Sequence, residues 1–223
     1  MHSNRQKRLV RALLADGEVA TTAQLERLGI LRGAELLNLP TRTLSMNTNG
    51  KGSLRSLTFV ALKSETLDRP TRDLGHQAAR FELRRYRRDM DWADVRRTNH
   101  TGGAKHAFPD WLLFDGVSGR FLFSVEVDVG YPRETIRKKL IGADEEWGTP
   151  GYLYATTIHS RVAWFRDVVA ELHAKGLVPH LKRAEGVYVN FWAVGDPYTG
   201  RPYCQKLNRS RWKISQGESP ESQ

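Results

Sequence analysis

The sequence predicts a mixed α/β (α+β) fold in which a small helical domain precedes a larger domain with a mixed sheet flanked by helices. Helical apolar stripes alternate with turns over residues 1–60, and strand-like apolar runs alternate with helical stripes over residues 109–194. A polar segment containing Pro70 separates the two regions. We therefore expect a first domain over residues 1–63, a linker over 64–72, a second domain over 73–214 and a disordered tail over 215–223.

Composition excludes several classes of protein. The 223 residues are 39% hydrophobic, with 6 Trp, 7 Tyr and 8 Phe, which excludes a disordered chain. The sequence has no apolar run long enough to span a membrane, and the single Cys204 excludes a disulfide framework and a Cys-rich zinc site. The polar start, MHSNRQKRLV, lacks the apolar core of a signal peptide, so we expect a cytoplasmic protein with no membrane partner.

Net charge indicates the class of partner. The chain has 35 Lys and Arg against 25 Asp and Glu, a formal charge of +10. Because neutralising each phosphate of a polyanion releases a counterion, sustained positive charge favours nucleic acid. The sequence leaves the oligomeric state open.

The first domain has the element order of a winged helix, which is helix, short turn, helix, helix and hairpin. The capping box Thr21–Gln24 predicts the start of the second helix, and Pro40 stops the third. Asn49-Gly50 predicts a hairpin whose tip carries Lys51 and Arg55 toward phosphates. The alternative is a three-helix cap that makes no contact with DNA.

A longer helix is predicted from Asp73 to Arg88, and basic residues crowd its second half and the segment that follows. Their density exceeds that of an ordinary solvated face, which is the alternative interpretation. The predicted DNA-binding residues here are Arg80, Arg84, Arg87, Arg88, Arg96, Arg97 and Lys105.

Three carboxylates accompany the predicted strands of the second domain. Asp110 begins one strand, and Glu126 and Asp128 lie two residues apart on the next, so their side chains share a face. This strand, Arg120–Val129, is apolar enough to be central in a sheet. Burying carboxylates there costs several kcal/mol each unless positive charge compensates. We expect Mg²⁺ or Mn²⁺, which prefer oxygen ligands, or the arginines to supply that charge.

The helix after this strand supplies a candidate lysine. Ile136, Leu140 and Ala143 recur at helical spacing and predict its buried face. Lys139 lies at the border of that face and is expected to lean toward Glu126, whereas Lys138 is expected to point to solvent.

The order of these residues is that of the PD-(D/E)xK nuclease core, except that Asp128 stands where a lysine is expected. Three alternatives remain open at this point. Lys139 has taken over the role of that lysine, or Asp128 is an extra metal ligand, or the site is inactive.

The segments His76, Pro109-Asp110, Phe123–Asp128, Lys139-Leu140 and Tyr152–Thr157 together resemble the replication-relaxation family of plasmid proteins, which includes MOBC-type mobilisation relaxases. The resemblance implies a restriction-endonuclease-like core that nicks plasmid DNA at a transfer origin with a metal, and accessory mobilisation or coupling proteins as partners. It also implies that the site consists of Asp110, Glu126, Asp128 and Lys139.

Three further residues are auxiliary candidates: His76, Glu82 and His106. Glu82 has a simpler interpretation as a salt-bridge partner of a neighbouring arginine, and His76 as a packing residue. Because the histidines are dispersed, a His-cluster relaxase mechanism is not expected. The tyrosines considered as nucleophiles are Tyr86, Tyr131 and Tyr154, each with packing as the alternative role.

Taken together, these patterns predict a metal-dependent DNA endonuclease of the plasmid-mobilisation type. One alternative is a non-catalytic replication initiator or transcriptional regulator on an inactivated nuclease scaffold. Another is a restriction or repair nuclease with the same chemistry and no link to plasmid transfer.

Overall fold

The computed structural model describes residues 2–15, 18–48, 54–86, 95–97, 109–195 and 209–213, with backbone only at residues 2, 85, 86, 95–97 and 209–213. The chain divides into two compact units. Unit 1 contains residues 1–88 and 188–208, and unit 2 contains residues 89–187 and 209–223. None of the described helices is long and apolar enough to cross a membrane. The predicted mixed α/β class is confirmed.

Unit 1 begins with three helices and a small antiparallel sheet. Its first elements are α1 (His2–Leu13), β1 (Ala20–Thr21), α2 (Thr22–Arg27), α3 (Leu31–Leu36), β2 (Thr41–Asn47) and β3 (Leu54–Val60). The strand order is β1-β3-β2. The capping box is confirmed, because the Thr21 hydroxyl accepts the backbone N–H of Gln24 and the Gln24 side-chain oxygen accepts the backbone N–H of Thr21. Residues of all three helices, including Val10, Leu25 and Ala34, form the core.

Two more helices belong to unit 1, α4 (Ser64–Leu67) and α5 (Thr71–Tyr86). The division therefore differs from the expected one, which placed residues 64–72 in a linker and the long helix in the second domain. Tertiary contacts are the reason. The Gln24 side-chain amide donates to the Ala78 carbonyl at 2.9 Å, and Phe81 of α5 joins the core of the first three helices. The predicted linker instead contains α4, with Leu67 buried.

Unit 2 is built on a six-stranded mixed sheet. Its elements are β4 (Val95–Arg97), β5 (Trp111–Phe114), β6 (Phe121–Asp128), α6 (Arg133–Trp147), β7 (Gly151–Thr156), α7 (Ser160–Ala174), β8 (Arg183–Tyr188) and β9 (Arg209–Lys213). The strands follow one another across the sheet in sequence order, from β4 to β9. β6 pairs antiparallel with β5 and parallel with β7, so its predicted central position is confirmed.

One face of this sheet carries polar groups beneath the helices. Glu126 is paired with Tyr154, and Asp128 with Thr156, across β6 and β7, so these side chains leave the sheet on one side. Residues of α6 and α7 pack on Tyr154 and its neighbour Tyr152 to form the main core of the unit. The helices exclude water from this face, which puts its carboxylates at low dielectric.

The apolar run over residues 187–194 is not a strand along its whole length. β8 instead runs Arg183–Tyr188. The residues after it are buried without forming a strand, because the Asn190 side-chain oxygen accepts the backbone N–H groups of Trp192 and Ala193 in a local turn. An apolar run predicts burial here and does not fix the backbone conformation.

Candidate active site in unit 2

The site begins where β5 meets β6. The Asp110 backbone N–H donates to the Val125 carbonyl at 2.8 Å, and an Asp110 carboxylate oxygen accepts the Val127 N–H at 2.7 Å. Since Trp111 lies opposite Val125 in the antiparallel register, Asp110 comes opposite Glu126. The first two predicted site carboxylates are therefore neighbours across two strands.

Lys139 of α6 reaches Glu126 from above the sheet. Its ammonium lies 2.7 and 2.8 Å from the two carboxylate oxygens, with Glu126 fully buried and the Lys139 side chain 11% exposed. Lys138 is exposed. The predicted orientations of both lysines are confirmed, and of the two, the amine of Lys139 is the one that contacts the carboxylate.

The electrostatics of Asp110, Glu126 and Lys139 leave negative charge in excess. Burial raises the pKa of Glu126 well above its usual value, and the neighbouring Asp110 charge raises it further against the effect of Lys139. Burial lowers the pKa of Lys139, but the charges of Glu126 and Asp110 outweigh it and leave that pKa raised. Lys139 is thus held as a cation in contact with Glu126 and within reach of the charge of Asp110.

Asp128 has a different environment from the other two carboxylates. One of its oxygens accepts the backbone N–H groups of Gly130 and Tyr131 at 2.8 and 2.7 Å. The other accepts the Tyr154 hydroxyl at 2.6 Å and the Arg161 guanidinium at 2.5 Å. Both oxygens of this fully buried carboxylate are therefore engaged with protein donors.

The turn after β6 depends on Asp128. Gly130 has φ +118°, a conformation that residues with a side chain rarely adopt, and its N–H is one of the donors to Asp128. Arg161 also donates to the Tyr131 carbonyl at 2.6 Å, and the Lys139 ammonium lies 5.1 Å from the centre of the Tyr131 ring. Asp128 and Arg161 therefore fix the residue against which Lys139 rests.

The tyrosine candidates take structural positions in this arrangement. Burial, followed by the Asp128 charge, raises the pKa of Tyr154 well above its ordinary value, so its hydroxyl stays protonated and donates. Its ring stacks on Phe165 with centroids 4.4 Å apart. Tyr154 is thus a buried donor to Asp128, in keeping with its packing interpretation, and the side chain of Tyr86 lies outside those described.

The predicted catalytic residues divide into two groups. The geometry brings together Asp110, Glu126 and Lys139, and separately ties Asp128 to the turn and to α7. Within the described residues, no group of three His, Cys, Asp or Glu side chains is placed to hold one metal ion. The three-carboxylate set of the sequence analysis is accordingly not assembled among the described residues, and Asp110 and Glu126 are the pair that lie opposite each other in the strand register.

The auxiliary residues His76 and Glu82 lie on α5, in unit 1. Glu82 is buried and accepts the Gln24 side-chain amide at 2.9 Å and the Arg27 guanidinium at 2.8 Å. The salt-bridge interpretation of Glu82 describes this geometry, although the ion pair is buried and its arginine comes from α2. His106 lies outside the described residues.

The predicted DNA-binding residues are only partly described. Arg55 is exposed on β3, Arg80 is half-buried on α5, and Arg84 forms an ion pair with Glu18 at 2.8 Å. Arg96 and Arg97 lie on β4, where the backbone alone is described. The remaining predicted positions fall outside the described residues: Lys51, Arg87, Arg88 and Lys105.

Sequence reasoning missed Arg161 as a member of the site. It lies at the start of α7, and its partners Asp128 and Tyr131 are about 30 residues away in the chain. The only available signal was that a buried Asp128 needs a positive partner. That requirement does not single out one arginine, because the chain contains many.

Comparison of the chain with family models, with curated proteins and with solved structures finds no match to any of them. The resemblance to the replication-relaxation family therefore stays a prediction from short motifs.

Proposed function

We propose that this protein is a metal-dependent DNA endonuclease whose reaction centre is formed by Asp110, Glu126 and Lys139. One observation carries the proposal. Two carboxylates from adjacent antiparallel strands face each other, and a lysine from the following helix lies 2.7 Å from one of them. This corresponds to the PD-(D/E)xK order with the lysine supplied by α6, which was one of the three alternatives left open by the sequence.

The donor set of Asp110 and Glu126 suits a hard divalent cation. Both ligands are oxygens, and Mg²⁺ or Mn²⁺ would offset the burial and the neighbouring Asp110 charge that raise the pKa of Glu126. An ion bound to Glu126 would share its oxygens with the Lys139 ammonium, which donates one hydrogen bond to each. The ion would acidify a bound water and neutralise charge on the scissile phosphate.

Lys139 and Asp128 then have distinct roles. Lys139 keeps its proton at this site and offers a positive charge to the attacking hydroxide or to the phosphate. Asp128 touches neither, because its oxygens are occupied by backbone and side-chain donors. It is a positioning residue that holds the β6–α6 turn.

Unit 1 supports a DNA substrate. The element order from α1 to β3, with the sheet order β1-β3-β2, is that of a winged helix. The net charge of +10 favours a polyanion. We assign unit 2 the restriction-endonuclease-like fold because it contains a mixed sheet with the carboxylates on its central strands. The short-motif resemblance further supports nicking at a plasmid transfer origin, with mobilisation or coupling proteins as partners.

The test is a cleavage assay on two supercoiled plasmids, one with a transfer origin and one without, in Mg²⁺, Mn²⁺ or EDTA. We expect metal-dependent conversion to open circle, and a fall in rate of about 100-fold or more in Glu126→Gln, since the pair loses a charged ligand. Glu145→Gln, which changes an exposed carboxylate on α6, should cut normally. Equal cutting by wild type and Glu126→Gln would contradict the proposal. Linearisation of both plasmids would indicate general nuclease activity instead of nicking at an origin.

A non-catalytic DNA-binding protein is the second candidate. The observation that favours it is that Lys139 already engages both oxygens of Glu126, as in a purely structural ion pair. The two candidates differ in their response to metal. A reaction centre should be stabilised by Mg²⁺ or Mn²⁺ in a thermal melt and lose that response in Glu126→Gln, whereas an ion pair should show no response.

A further inference from the structure

Helix α1 carries the most one-sided charge in unit 1. Its 12 residues include Arg5, Lys7, Arg8 and Arg11 and no acidic residue. Arg5, Arg8 and Arg11 are exposed, and they form no ion pair with any residue that the structure describes. At about 100° per residue these three arginines occupy one stripe of the helix.

The opposite face of α1 is anchored in the core. Val10 and Leu14 are buried, and the Gln6 side chain donates to the Gly29 carbonyl at 2.9 Å. Gly33 of α3 approaches so closely that a Cβ atom there would lie 2.7 Å from the Gln6 carbonyl carbon. The arginine stripe is therefore held outward on a fixed helix.

Two features of the charge distribution in α1 work against the helix, whereas Arg11 in its last turn is favourable. Arg5–Arg8 and Arg8–Arg11 are like-charge pairs at a spacing of three residues, which destabilise a helix. Arg5 also lies in the first turn, which lacks acidic residues and where the helix dipole disfavours cations. A polyanion bound along the stripe would reverse both effects.

The helices expected to read DNA in a winged helix have no such surface. The exposed charges of α2 and α3 are Glu26, Arg32 and Glu35, two carboxylates against one guanidinium. Arg32 is paired with Glu35 at 2.9 Å, and Arg27 is occupied by the buried Glu82. A phosphate backbone approaching α2 and α3 would meet two exposed carboxylates and one exposed guanidinium, which is already paired with Glu35.

We propose that unit 1 binds the phosphate backbone of duplex DNA through the Arg5, Arg8 and Arg11 stripe of α1, and not through α3. This inference rests on the proposed function for its choice of polyanion. It assigns α1 the role of a clamp that grips the backbone independently of sequence, because arginines spaced along a helix contact phosphates and leave base edges unread.

The test measures salt-dependent binding of a fluorescent duplex by the full-length protein in EDTA, where cleavage does not interfere. Wild type is compared with Arg5→Gln/Arg8→Gln/Arg11→Gln and with the matched control Arg32→Gln/Lys63→Gln/Arg69→Gln, which removes the same charge from exposed positions of unit 1. Each lost phosphate contact should reduce the slope of log K against log salt by about 0.9, so the α1 variant should lose up to about 2.7 and the control much less.

Folding is monitored by thermal melting, in which the α1 variant should melt no lower than wild type because like-charge repulsion is removed. A slope unchanged in the α1 variant, or reduced equally in the control, would overturn the inference. These outcomes are separate from failure of the proposed function. If the protein nicks plasmid in a Glu126-dependent way but binds DNA without α1, the nuclease proposal stands and the inference about α1 is wrong. If the wild-type protein binds no duplex, the inference about α1 is also wrong.

Discussion

Asp128 shows how a single residue acquires its role from its partners. In the sequence Asp128 is the second carboxylate of a Glu-Val-Asp strand, and the pattern does not distinguish it from Glu126. In the fold it accepts four close donors from the turn, from β7 and from α7, whereas Glu126 contacts Lys139. A carboxylate whose oxygens are all engaged stabilises local structure and has no oxygen left for an ion.

Replacing Asp128 by Asn should therefore destabilise the fold. In either orientation the amide nitrogen would face donors, and the half-buried guanidinium of Arg161 would lose its counter-charge. We expect a loss of about 3 kcal/mol in the free energy of unfolding, measured by urea denaturation.

The matched control for that variant is Asp167→Asn, an exposed carboxylate on α7, which should change stability little. Asp128→Asn protein that remains folded should keep part of its metal response, since Asp110 and Glu126 are intact. A stable Asp128→Asn variant without any metal response would instead indicate that Asp128 is a metal ligand.

At the scale of elements, α6 connects the site to the rest of unit 2. One side directs Lys139 to β6, and another directs Arg137 to Glu171 of α7 through two hydrogen bonds of 2.8 and 2.7 Å. Lys175 adds a third contact to Glu171 at 2.7 Å. The orientation of the lysine-bearing helix thus depends partly on an ion-pair network with α7.

This network predicts a pH dependence of stability. Hydrogen bonds from Arg137 and then Lys175 lower the pKa of Glu171 to about 2. A lowered carboxyl pKa contributes stability above its unfolded value and loses that contribution as pH falls toward 2. The difference in melting temperature between wild type and Glu171→Gln should be small, because the pair is solvent-exposed, and should vanish in acid.

Melting curves of the two proteins at neutral pH and across the acidic range check this expectation. High salt at neutral pH provides the control, because it screens an exposed pair and should reduce the difference. A difference that grows as the pH falls would show that Glu171 acts through something other than these ion pairs.

At the scale of the whole molecule, Glu82 and the proposed reaction centre belong to different units. Glu82 binds Gln24 and Arg27, both within unit 1, and the proposed reaction centre belongs to unit 2. Glu82 is therefore assigned to the stability of unit 1, where it connects α5 to α2.

The corresponding variant is Glu82→Gln. It should lower the stability of unit 1 by about 2–3 kcal/mol, because Arg27 would lose a buried counter-charge. Calorimetry of the full chain measures the loss, and cleavage by the folded protein at saturating DNA should be unchanged. A cleavage defect in stable Glu82→Gln protein would restore the auxiliary role that the sequence suggested.

Much of the fold followed from local pattern. The capping box at Thr21, the period of two in β6 and the helical spacing of Ile136, Leu140 and Ala143 each predict an element correctly, because each depends on neighbours in the chain. The same spacing separated Lys139 from Lys138. The sequence alone predicted that Lys139 would lie close to Glu126, in a site that also included Asp110 and Asp128.

Partners distant in sequence were decided only by the tertiary structure. Arg161 binds Asp128, Glu82 binds Arg27, and α5 packs with the first three helices, each across tens of residues. β8 ends at Tyr188 because Asn190 forms a local turn, although the apolar run continues. The physical reason is that burial creates a demand for a counter-charge or a hydrogen bond, and which group meets the demand depends on how the elements pack.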